Sequence, residues 1–181
     1  MSRRINGTGD PAWVALFTGF KKSAYRLEGQ QVYSNDSEDA ALEQFRATGR
    51  FEPFEPWPAI PLVRATAAAG QTQTRVRVVV EPPTDYTRME LAAYPYLAEA
   101  GEDIRIIAVR EAEWPADLPR YDYWLFDDRD VWRMHYNDDH TFHGAELIED
   151  EAAIAQHLEW RDVALDRAVP LEDYMANRRA D

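Results

Sequence analysis

The chain has 181 residues, a net charge of −13, 45% hydrophobic residues, six tryptophans, nine tyrosines and no cysteine. That length and apolar content suit one domain, 1–181, with a real core, and the missing thiols exclude disulfides, thiolate metal sites and a cysteine nucleophile. The charge is uneven. Residues 1–80 hold ten Lys/Arg against eight Asp/Glu, and residues 81–181 hold ten against twenty-five, so an acidic second half argues against direct nucleic-acid binding, where each phosphate contact needs a cation.

Residues 1–11 read as a loose leader. The apolar run that follows is too short and too broken for a signal peptide, and no stretch is apolar enough to cross a bilayer. A cytoplasmic protein with no membrane association is the expectation. "DPAWVALFTGFKKSAYRLEGQ" offers Asp10 as N-cap and Pro11 at the first helical position. Trp13, Leu16, Phe17, Phe20 and Tyr25 recur at roughly helical spacing, which predicts a short amphipathic helix. "SNDSEDAALEQFRATGR" predicts a second helix, capped by Ser37 or Asp36 and ended by Gly49. Residues 1–57 are therefore expected to form a helical N-terminal portion.

"FEPFEPWPAIPLV" is a proline-rich connector, and "PLVRATAAAGQ" makes a short helix. From there the pattern changes. In "TRVRVVVEPP", Arg75, Arg77 and Val79 alternate against Val76, Val78 and Val80, the signature of a strand. "TDYTRMELAAYPYLAEAG" predicts a helix with a Thr87–Glu90 capping box, a stop at Gly101 and a kink or division at Pro95. "EDIRIIAVRE" is a strand. "DYWLFDDRDVWRMHY" reads as two antiparallel strands around a polar turn, with Trp132, Met134 and Tyr136 on one side and Val131, Arg133 and His135 on the other. "FHGAELIED" adds a strand, "DEAAIAQHLEWRDVALDRA" a helix and "VPLEDYMANRRAD" a tail. Residues 58–181 thus predict an α/β (α+β) core, a mixed β-sheet with flanking helices.

"FKKSAYRLEGQQVY", "RVRVVVEPPTDYTRMEL", "GEDIRI", "DYWLFDDRDVWRMHY" and "DRAVPLEDY" together resemble an actinobacterial family of domain-of-unknown-function proteins over nearly the whole chain. The resemblance implies no particular reaction. Many such relatives are encoded beside helix-turn-helix regulators of the xenobiotic-response type, so it implies a regulatory setting and such a regulator as partner. In element order, residues 58–171 also resemble half of a phospholipase D-like domain. The catalytic forms carry a histidine and a lysine two apart on the hairpin strands. Here the only lysines are Lys21 and Lys22, so the His-x-Lys pair is absent and that chemistry with it.

Candidate sites follow from residue types. Arg77, Tyr86, Arg88, Arg105 and Asp127 are the expected ligand-binding set: guanidiniums on neighbouring strands hold a carboxylate or phosphate of an anionic small molecule by paired hydrogen bonds. The competing reading is an internal salt-bridge network, with Glu90 only capping its helix. If the chain is an enzyme, Tyr86, Asp127 and His135 are the acid–base candidates. His135, His140 and His143 lie near Asp138 and Asp139 and form a weak metal candidate; exposed turn histidines explain them equally. Trp124, Phe126, Trp132 and Tyr136 read as packing. No cofactor motif is present. The leading expectation is a non-enzymatic module that binds a ligand or a partner. The alternatives are a small enzyme of specialised metabolism acting on an anion, and an acidic toxin-neutralising or DNA-mimicking protein.

Overall fold

The computed structural model describes residues 3–53 and 57–180; the centre of the proline-rich connector lies outside them. Among the described residues eight strands form one mixed sheet. They are β1 (Arg4–Ile5), β2 (Ser23–Glu28), β3 (Thr72–Val80), β4 (Glu102–Val109), β5 (Tyr123–Phe126), β6 (Asp130–Tyr136), β7 (Phe142–Ile148) and β8 (Val169–Pro170), in the order β1-β7-β6-β5-β2-β3-β4-β8. β2, β3 and β4 run parallel. β5, β6 and β7 form an antiparallel meander whose first strand pairs with β2.

The helical N-terminal portion needs correction. The first helix, α1 (Pro11–Gly19), starts on Asp10, whose carboxylate accepts from the N–H of Ala12, and stops at Gly19. Residues 23–28 then form β2, in the middle of the sheet. "SAYRLE" alternates, with Tyr25 and Leu27 on one face and Ala24, Arg26 and Glu28 on the other. The charged residues hide that period because both faces are buried.

α2 (Asp36–Thr48) is capped by Asn35 and closed by Gly49 in the left-handed region. α3 (Ala59–Ala68) leads into β3. The crossover from β3 to β4 is α4 (Asp85–Ala100), as parallel neighbours require. Its cap is Thr84, whose hydroxyl accepts from the N–H of Thr87, one turn earlier than the expected capping box. Pro95 does not divide it: α4 is continuous, with Pro95 on the exposed side, where a missing N–H costs least. α5 (Glu151–Arg167) follows β7, and the expected tail is a helix, α6 (Leu171–Ala180).

α5 covers one face of the sheet, over Leu27, Val76, Val78 and Val131, all fully buried. The other face carries α1 over the meander and α3, α4 and α6 over β2 to β4, with α2 packed against α4. Each large aliphatic group so enclosed contributes about 1.5–3 kcal/mol. β1 passes so near β7 that a Cβ on Gly144 would collide with the carbonyl oxygen of Ile5. Among the described residues no helix is long and apolar enough to cross a membrane.

Candidate functional site

The densest polar chemistry lies inside the molecule, between the centre of the sheet and α4. Parallel register sets Arg26 beside Arg75 and Glu28 beside Arg77. Strand alternation sends all four side chains to the face under α4. Two neighbouring guanidiniums repel unless a carboxylate joins them, and Glu28 does so. It pairs with Arg26 at 2.7 Å and Arg75 at 2.8 Å, and it accepts from Tyr94 Oη at 3.0 Å. Burial alone would raise the Glu28 carboxyl; Arg26, Arg75 and Arg77 instead hold it well below the usual carboxylate range.

Arg75 reaches on to Glu102 at 2.9 Å. Arg77, with no exposed surface, donates to the carbonyls of Glu28 and Gln30 and to Glu90 at 2.7 Å. Tyr33 lies between two cations: the guanidinium carbons of Arg26 and Arg77 each sit 5.6 Å from its ring centre. Asp122, at the start of the hairpin, closes the network. Its Oδ1 accepts from the N–H of Gly29 at 2.8 Å and of Gln30 at 3.2 Å, and its Oδ2 from Tyr33 Oη at 2.5 Å and Tyr136 Oη at 3.0 Å.

Two further carboxyls face the outer side of this network. Burial pushes Glu90 up to about 8, against the pull of Arg77 and with the push of Glu28. Burial also raises Glu38, whose Oε2 accepts from Tyr86 Oη at 2.7 Å. The three guanidiniums are thus matched inside the protein, and the arrangement is suited to fixing helices to the sheet more than to gripping a solute. Among the buried polar atoms of this network, the Nε of Arg26, the Nε of Arg77 and the Oε2 of Glu102 have no hydrogen-bond partner.

Of the five expected ligand-binding residues the structure gathers two. Arg77 and Tyr86 both pack against Tyr33, whose ring centre is 5.7 Å from that of Tyr86. Arg88 points outward from α4 and pairs with Asp85 at 3.4 Å. Arg105, one residue out of phase with Arg77 across β3 and β4, stands on the opposite face and pairs with Asp103 at 3.0 Å. The expected cluster of Arg77, Arg88 and Arg105 is therefore not formed. Asp127 sits in the β5–β6 turn, where its carboxylate accepts from the N–H groups of Lys21, Lys22 and Ser23. Burial would raise it, but those donors hold it below its ordinary value.

His135 and His143 line an open cleft of about 750 Å³ beside β1, and His135 Nε2 lies 3.5 Å from Glu146. His140 occupies the β6–β7 turn with φ 69°. Among the described residues no group of three or more His, Cys, Asp or Glu side chains is arranged to hold a metal. Sequence reasoning missed Arg26, Glu28, Tyr33, Tyr94 and Asp122. The available signal was that "AYRLE" places an arginine and a glutamate, and "TRVRV" two arginines, at alternate positions of two strands, which paired would bring them side by side.

No curated protein matches the chain significantly. The profile of a domain of unknown function (DUF6879) matches residues 11–176, a span holding every strand of the sheet except β1 and every member of the buried network. The chain belongs to that family.

Proposed function

We propose that this domain is a non-enzymatic docking module of a cytoplasmic bacterial regulatory system, bound to a basic partner protein of the helix-turn-helix regulator class. One observation carries the reading: Arg26, Arg75 and Arg77, the cations best placed to bind an anion, are held by Glu28, Glu102, Asp122 and Glu90. Neither Arg77 nor Tyr86 lines the cleft beside β1. A site for an anionic substrate needs cations with free valences, and these have few.

The outward surface supports the same reading. Glu149, Asp150, Glu151, Glu159, Asp162 and Asp166 are exposed along and just before α5, and Glu172 and Asp173 at the start of α6. DNA-binding regulators are basic, so opposite potentials would steer the encounter. The exposed side of α1 adds apolar surface, since Pro11, Ala12, Val14 and Ala15 face solvent.

The test mixes the full chain with a helix-turn-helix regulator of the kind encoded beside its relatives and weighs the product by light scattering after size exclusion. The expected result is one species of summed mass whose affinity falls as salt rises. Separate elution at low salt, together with an anionic metabolite that raises the melting temperature of the wild type, would overturn the docking reading in favour of a ligand sensor or enzyme.

A further inference from the structure

The outer edge of β4 is only partly covered. β8 pairs with Arg105 and Ile106, and among the described residues no strand pairs with 102–104 on that side. Next to this open edge a groove of about 530 Å³ runs between α4 and α6. Pro95 and Ala98 form one wall, Leu171, Met175 and Ala176 the other, and Ile104 belongs to the floor. Glu102 also lines it. This glutamate is 5% exposed, its Oε1 is taken by Arg75, and its Oε2 is enclosed without any donor.

A buried carboxylate oxygen without a partner is costly and rare in native proteins. Here it belongs to a residue that lines an apolar-walled groove beside unpaired strand backbone. A lysine or arginine side chain matches that combination: its methylene stem covers apolar wall while its head donates to a carboxylate. The free edge selects among sources of such a cation, because an extended peptide can add its backbone there whereas a free amine cannot. Glu172, exposed at the rim, adds charge of the favourable sign.

We infer that this groove binds an extended segment of a partner protein, with one Lys or Arg inserted between Ala98 and Met175 to donate to Oε2 of Glu102. The inference rests on the docking reading above and gives it a location.

The probe is the peptide Gly-Thr-Val-Arg-Val-Thr-Gly, titrated into the full chain while NMR signals of Ala98, Ile104, Met175 and Ala176 are followed. A second peptide carries citrulline in place of arginine, and agmatine serves as the free cation. Glu102→Gln keeps the shape and an acceptor for Arg75 but removes the charge. Ala98→Trp fills the groove without touching the network, and circular dichroism checks that it folds. The arginine peptide should saturate, with citrulline or Glu102→Gln weakening it roughly tenfold or more, as loss of a charge-assisted hydrogen bond implies. Ala98→Trp should abolish the shifts, and agmatine should bind far more weakly than the peptide. Absence of saturable shifts, equal binding of the two peptides, unchanged binding by folded Ala98→Trp, or agmatine equal to the peptide would each overturn the assignment. If the regulator complex forms while the peptide does not bind, the groove falls and docking stands; if neither forms, both fall.

Discussion

Arg77 and Glu90 meet at 2.7 Å in the interior, the arginine wholly enclosed and the glutamate nearly so. The contact ties β3 to α4. Because burial raises Glu90 from an ordinary 4.5 to about 8, the folded chain binds more protons than the unfolded chain between those values. Stability is therefore greatest at the acid end of that window and declines as pH rises through it. Thermal melts from pH 5 to 8.5 should show the wild-type melting temperature falling more steeply than that of Glu90→Gln. Parallel slopes would refute the assignment.

The arginines should separate by location. Removing one partner of a buried pair costs about 3–5 kcal/mol, so Arg77→Ala should destabilise strongly. Arg88→Ala and Arg105→Ala each break a surface pair with a near neighbour in sequence, Asp85 and Asp103, and should cost at most about 1 kcal/mol. Urea denaturation of the three variants tests the contrast.

This contrast also measures what the sequence made legible. The alternation of "TRVRVVV", the hairpin around "DDRD" and the stops at Gly49 and Gly101 led to β3, β5, β6, α2 and α4. β2 was hidden because Arg26 and Glu28 are residues that ordinarily face water, and Tyr25 fell into step with the helical aromatics before it. In the site, Arg77 and Tyr86 were legible as chemistry. Arg88 and Arg105 fell away because one residue of phase decides which face of a strand or helix a side chain takes.

Asp122 accepts from two backbone N–H groups and two tyrosine hydroxyls and lies 3.5 Å from Arg26. Asp122→Ala leaves all of these buried groups short of an acceptor. A loss of roughly 3–5 kcal/mol is expected, and Asp122→Asn should lose less because its carbonyl still accepts. Chemical denaturation followed by tryptophan fluorescence checks both.

Asp127 is a turn residue with φ 54° whose carboxylate holds the chain just before β2. Asp127→Ala should cost about 1–3 kcal/mol and speed amide exchange at Lys22 and Ser23 ahead of other core positions. Uniform exchange across the sheet would show that the turn does not anchor this strand.

The central position of β2 has a consequence for dissection of the molecule. Among the described residues this strand alone bridges the parallel β3–β4 pair and the antiparallel meander. A fragment beginning after residue 57 would present two bare inner edges, each a template for pairing with other chains. During synthesis the same strand leaves the ribosome early yet waits for residues 123–126 before its second side is occupied, so one edge of β2 stays open until the hairpin arrives.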